Sequence, residues 1–264
     1  RILEELIAAP GTAVQGGTQA TGLMAFLSCR QHPDRAVELA TRGRSLFAAH
    51  GLSPEYLVPS VWSEACLALY EARYAEALEG FAEADRLLLE SGANVTHVLM
   101  TGLSVASTHI LLGDPEAALA TIESREWSLS VWDSSPIVRS LALLDVGERP
   151  AAADLVVGFA YDALLGRLSR MANDALVGFA ALAVHRGEHD RAWELLQQCA
   201  SPRTPFTIGL AEGLGARIGR GEELRRFHRE RVQPLKELDA TVHLRAELDR
   251  IRSSREPEGS HGDG

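Results

Sequence analysis

Lysine is nearly missing from this sequence: Lys236 is the only one, and the rest of the 26 basic residues are arginines. Folding physics makes no such demand, and the bias is what the arginine codons of a GC-rich genome produce. Aromatic residues are also scarce, at 6% against 46% hydrophobic residues in all, so the apolar mass is mostly Ala, Leu and Val. That composition suits close helix packing better than sheets. There are three cysteines, Cys29, Cys66 and Cys199, far apart and odd in number. Each lies in an apolar helical pattern, where a thiol is usually a small buried hydrophobe, so a reduced, cytoplasmic compartment is expected rather than a disulfide framework. No apolar run approaches the roughly twenty residues a membrane span requires, and no leader pattern is legible at the start.

The net charge of −10 is unevenly spread. Residues 1 to 216 carry 15 basic and 26 acidic groups, whereas residues 217 to 264 carry 11 and 10. The body therefore disfavours nucleic acid or any other polyanion. The arginine-rich end is interleaved with Glu222, Glu223, Glu230, Glu237, Asp239, Glu247 and Asp249, which reads as a salt-bridged helical face rather than a phosphate-binding stripe. The chain opens at Arg1 in mid-helix pattern (Ile2, Leu3, Leu6, Ile7), which is expected of a piece of a longer polypeptide.

A short corner between two helical patterns recurs along the chain. It occurs as Gln31-His-Pro-Asp-Arg-Ala36, Ala72-Arg-Tyr-Ala-Glu-Ala77, Gly113-Asp-Pro-Glu-Ala-Ala118, Gly147-Glu-Arg-Pro-Ala-Ala152 and Gly187-Glu-His-Asp-Arg-Ala192. The anchor alanines at 36, 77, 118, 152 and 192 are 41, 41, 34 and 40 residues apart. Gly at the corner can take the left-handed conformation that ends one helix, and the Asp or Pro that follows starts the next. Seven residues before each corner stands Met24, Ala65, Ala106, Ser140 or Ala180, small in all cases but the first, so two helix backbones can approach closely. Four residues after the anchors come Ala40, Phe81, Ile122, Val156 and Leu196, one turn along the same face.

A small residue, a corner Gly, Ala five later and a large apolar residue one turn on resemble the tetratricopeptide repeat. The resemblance covers about residues 17 to 200 and departs from the family in lacking its regular Trp and Pro and in a period nearer forty than thirty-four. It implies an all-α fold, a right-handed superhelical array of antiparallel helix pairs. The expected organisation is a preceding segment or first helix over 1–16, repeats over 17–224 with a degenerate sixth around Gly219 and Leu224, a charged cap over 225–252 and a disordered tail over 253–264. The longer repeat is similar to the sensor solenoids of large bacterial signalling ATPases, maltose-regulator and LuxR-type activators and ATPase-linked nucleotide cyclases. That likeness implies a non-catalytic regulatory module without a cofactor, downstream of an ATP-binding or cyclase domain, taking a protein, peptide or small-molecule effector in its concave groove; self-association is left open. Mapped residue by residue, the groove positions are Thr21, Trp62, Cys66, Tyr70, Ser107, Asp145, Val177, Ala181 and His185.

The competing chemistry is a metal-dependent hydrolase built on His185-Arg-Gly-Glu188-His189, the inverted zinc-protease pattern. Gly187 is itself a corner residue, so His185 is expected to end one helix and His189 to open the next, which separates the two ligands. The Gly-rich run Gly215 to Gly221 lacks the strand before it and the Lys-Ser/Thr after it that a phosphate loop needs. Trp127 and Trp132 lie in a connection between repeats, where they either lid the core or form a hot spot.

Overall fold

In a computed structural model the chain is predominantly helical over the residues described, 13–29, 32–92, 95–125, 134–165, 171–199, 205–230 and 237–255, and no strand occurs among them. Two compact units emerge, residues 1–127 with 204–210 and residues 128–203 with 211–264. The helices are α1 (Ala13–Ser28), α2 (Pro33–His50), α3 (Val58–Tyr70), α4 (Tyr74–Ser91), α5 (Val95–Leu112), α6 (Pro115–Glu123), α7 (Ser135–Asp145), α8 (Arg149–Leu164), α9 (Ala172–Arg186), α10 (His189–Gln198), α11 (Pro205–Arg217), α12 (Gly221–Glu230) and α13 (Glu237–Arg255). None of the described helices is long and apolar enough to cross a membrane.

The corners do what their residues dictate. Gly113, Gly147, Gly187 and Gly219 all have positive φ, between 77° and 92°. At the first of these the Asp114 N–H donates to the His109 carbonyl (2.9 Å) and the Gly113 N–H to the Ile110 carbonyl (3.1 Å). The same two bonds recur at Arg73 and Ala72, Glu148 and Gly147, Glu188 and Gly187, and Arg220 and Gly219. This is the Schellman closure, which satisfies carbonyls that a helix end would otherwise leave bare. Five residues on, the anchor amide makes the first bond of the new helix: Ala77, Ala118, Ala152, Ala192 and Leu224 donate to the carbonyls of Arg73, Asp114, Glu148, Glu188 and Arg220. The corner near Gly219, legible in sequence only as a degenerate sixth, is thus built like the others. Residue 31 of the first corner lies outside the described residues.

Neighbouring helices pack as a helical repeat would. In the first unit α1 lies on α2 and α3, α3 on α4, α4 on α5 and α5 on α6; in the second α7 lies on α8 and α9, and α9 on α8 and α10. The anchors Ala36, Ala77, Ala118, Ala152 and Ala192 are buried, and so are Phe81, Ile122, Val156 and Leu196 one turn beyond. The small positions Ala65, Ala106, Ser140 and Ala180 are buried too. Close approach is real at Gly80, where a Cβ would stand 2.8 Å from the Ala65 Cβ. A half-buried fork ties α4 to the end of α6: Arg125 donates to both Asp85 carboxylate oxygens (2.5 and 3.0 Å) and to the Val98 carbonyl (2.6 Å). Gly102 leaves room for that guanidinium, since a Cβ there would stand 2.5 Å from its Cζ.

The C-terminal region differs in detail from the expected cap. Two described helices occupy it, α12 and α13, and α13 continues through Ser253 to Arg255, into the stretch expected as tail. α13 lies on α8 and α9, burying Leu244, Leu248 and Ile251. Arg220 stacks over the Trp193 ring at 4.1 Å, and His228 Nδ1 sits 3.0 Å from Glu212 Oε1, both side chains buried.

Two substitutions of one kind should move stability in opposite directions. Gly80→Ala gains about 1 kcal/mol of helix propensity but forces the α3 and α4 backbones apart at a cost of about 1–3 kcal/mol, so it should lower Tm. Gly158→Ala, in mid-α8 with nothing within 4 Å of the new Cβ, should raise it. Equal shifts in thermal melts of the two variants would mean that the α3–α4 approach is wrong. A third change tests the corner itself. Ala72 holds φ at 58° where the four later corners have Gly, and left-handed Ala costs about 1–2 kcal/mol. Ala72→Gly should therefore stabilise by up to about 1 kcal/mol once the greater freedom of unfolded Gly is subtracted; a destabilised variant in urea melts would contradict the corner geometry.

Candidate functional site

The groove positions expected from the sequence divide between the units. In the first unit Thr21, Cys66 and Ser107 are buried, while Trp62 and Tyr70 are half-buried and packed against the core around Cys66 and Phe81. The Trp62 indole N–H donates to Ser104 Oγ at 3.4 Å, so α3 presents that face to α5. In the second unit Val177 and Ala181 are buried, and Asp145 and His185 come together with Asp145 Oδ1 3.1 Å from His185 Nε2. Arg217, which the sequence assigned only to a charged end, completes this cluster. Its guanidinium donates from Nη1 and Nη2 to the two Asp145 oxygens at 2.6 and 2.7 Å. Those bonds hold Arg217 more firmly charged than usual.

The three members share one sequence position. Asp145, His185 and Arg217 each stand two residues before a corner glycine, Gly147, Gly187 and Gly219. The signal that could have found Arg217 was therefore the corner, carried one unit further.

The hydrolase pattern does not assemble a metal centre here. His185 ends α9 and turns to Asp145, Glu188 precedes α10 and lies 3.5 Å from Arg250, and His189 is exposed at the start of α10. Among the described residues no three His, Cys, Asp or Glu side chains form a metal-ligand group. Burial pushes the Cys29 thiol up to about 12 and raises Cys66 and Cys199 as well, so all three stay protonated. Trp127 and Trp132 lie outside the described residues.

Two further features were not legible in the sequence. The first is the seat of α13 in the second unit. Glu247, with its side chain 1% exposed, accepts from Arg191 Nε (3.1 Å) and Nη2 of α10 and from Arg250 (2.8 and 3.1 Å) in its own helix. Burial acts to raise this carboxyl's pKa, but the hydrogen bonds from Arg250 and Arg191 outweigh it and hold the group below its ordinary 4.5.

The second is a cavity of about 370 Å³ in the first unit, between α2 and α4 with α3 beneath. Its floor is made of small side chains, among them Ala36, Ala40, Ala65, Ala68 and Gly80. Its rim carries Arg73, Glu76, Glu79 and Glu83, and Glu64 with Arg44 closes one side through a bidentate pair at 2.6 to 3.0 Å. Four carboxylates face two guanidinia, so the mouth is acidic. None of the groove positions expected from the sequence lines it.

Glu247→Ala should loosen α13 at a cost of about 1.5–3 kcal/mol, the worth of hydrogen bonds to charged groups. It should not reach the 3–5 kcal/mol of an orphaned buried ion, since Arg191 and Arg250 are 28% and 40% exposed and reach water. The pH dependence follows the same group. A carboxyl held below its unfolded value stabilises fully above about pH 4.5 and loses that contribution as pH falls through the folded value. Protection factors of the α13 amides, which take out the slowing of intrinsic exchange in acid, should therefore fall between about pH 5 and 3 in the wild type and much less in Glu247→Ala; identical profiles would remove Glu247 from the seat.

No family model matches the chain, and among curated proteins and solved structures no match was found.

Proposed function

We propose that the chain is a non-catalytic binding module: a tetratricopeptide-like, right-handed superhelical array of antiparallel helix pairs that takes a protein, peptide or small effector and passes the event to an ATPase or cyclase domain of the same polypeptide. One contact supports the reading above the rest. Asp145 and His185, equivalent positions of consecutive corners 40 residues apart, meet at 3.1 Å, so the array sets matching positions side by side on one surface. A surface assembled from matching positions of successive repeats is how solenoids build extended binding faces. Trp62 and Tyr70, half-buried on the corresponding helix of the first unit, supply aromatic area of the kind that anchors a partner.

A random-peptide display selection on the folded chain tests this. It should enrich a recurrent motif that binds with a dissociation constant of about 1 μM or tighter, some 8 kcal/mol. Trp62→Ala should weaken such a peptide without unfolding the chain if the α3 face is used. The opposite outcome is equally concrete. No enriched motif, together with one zinc per chain by elemental analysis that is lost in His185→Ala, would replace the binding module with the metal-dependent hydrolase.

A further inference from the structure

The seat of α13 and the cavity of the first unit occupy corresponding places in their two units. In the second unit α13 lies on α8 and α9 and makes its ion pairs with α10. In the first unit the cavity is lined by α2, α3 and α4. Counted from the corners, α2 corresponds to α8, α3 to α9 and α4 to α10. Both sites thus have a first helix beneath and the second helices of two successive pairs beside it.

The correspondence extends to single residues. Glu188 and Arg191, which receive α13, stand one and four residues after their corner at Gly187. One and four residues after the corner at Ala72 stand Arg73 and Glu76, both on the rim of the cavity. The signs are reversed. In the second unit Glu188 meets Arg250 and Arg191 meets Glu247, so the docked helix carries an acid and, three residues later, a base. The first unit offers a base where the second offers an acid, and an acid where it offers a base.

We infer that the cavity between α2 and α4 receives an amphipathic helix of a partner protein whose apolar face carries a basic residue followed three positions later by an acidic one. Within the chain Arg73 pairs with Glu76 and donates to Glu71 at 2.7 and 2.9 Å, all three side chains being exposed, so the partner's basic residue takes over Glu76 and its acidic residue takes over Arg73 by exchange with these surface pairs, while its apolar side chains enter the small-residue floor. Glu79 and Glu83 add two acids to the rim and favour further basic residues along the same helix. Val37, 52% exposed on the α2 wall, offers apolar contact to the partner. A second copy of this chain's own α13 has the wrong sign, since Glu247 would face Glu76 and Arg250 would face Arg73. This inference rests on the reading of the chain as a binding module and names one partner surface for it.

The test uses a peptide of residues 237–255 in two forms, the native sequence and one carrying Glu247→Arg with Arg250→Glu. On the 264-residue chain, fluorescence anisotropy should show the charge-exchanged peptide binding at least tenfold more tightly than the native one. At the seat of α13 the exchanged peptide would set like charges against Arg191 and Glu188, so its binding reports the first unit. In the chain carrying Arg73→Glu with Glu76→Arg the preference should invert. A wild-type chain that binds the exchanged peptide no better than the native one overturns the inference, and so does a preference unchanged in the double variant. Should that variant melt early, Glu79→Arg at the open rim replaces it and should weaken the exchanged peptide severalfold; unchanged affinity there counts against the site. If these peptides fail while the display selection yields a motif elsewhere, the binding module stands and only this surface falls.

Discussion

A single backbone event organises the molecule: one residue enters the left-handed region and the next amide reaches back five residues to close the helix behind it. Backbone conformation at that point is rigidly specified, because the amide of the corner residue and the one after it are both committed to carbonyls of the last turn. Everything downstream inherits the phase so set. The anchor amide five residues on starts the next helix, its side chain is buried, and the residue one turn beyond is buried beneath a neighbour. Repetition of the same closure therefore repeats the same faces, without any requirement that the residues on those faces be alike.

That separation of backbone from surface explains how chemically unlike sites share one address. Two residues before the corner, the chain places an aspartate, a histidine and an arginine, and because those addresses adjoin they form one polar cluster. One and four residues after it, three of the corners carry opposite charges: Glu188 and Arg191 after Gly187, Arg73 and Glu76 after Ala72, and, in the same order as the latter, Arg220 and Glu223 after Gly219. The first pair holds α13 and the second rims a cavity. Charge order on a fixed frame, rather than shape alone, distinguishes the two.

Much of this frame is written locally and was legible for that reason. Gly113, Gly147 and Gly187 announce positive φ, the alanine five later announces close approach, and Phe81 or Leu196 announces a buried turn; all are consequences of single-residue sterics at short range. Ala72 was legible only by analogy, since nothing in an alanine asks for φ of 58° and the neighbouring closure imposes it. The candidate site was less legible. Asp145 and His185 were found because they stand at a fixed distance before the corner, and Arg217 was missed because its reach to Asp145 spans 72 residues of sequence. Trp62 and Cys66 illustrate the limit from the other side: their spacing places them on one helix face, but whether that face meets water or α5 depends on packing that no local pattern encodes. The cavity was invisible because small residues lining a void and small residues lining a tight seam read alike.

The three thiols, set down by composition as incidental apolar side chains, have a use in time rather than in space. Cys29 and Cys66 lie in the first unit and Cys199 in the second, all buried and all held protonated by their surroundings. A protonated, enclosed sulfur reacts with an alkylating reagent only when the structure around it opens. The chain therefore carries its own clocks, two in one unit and one in the other, each ticking at the opening rate of its surroundings and readable one cysteine at a time by mass. Occupation of a surface would slow the clocks whose surroundings it holds closed.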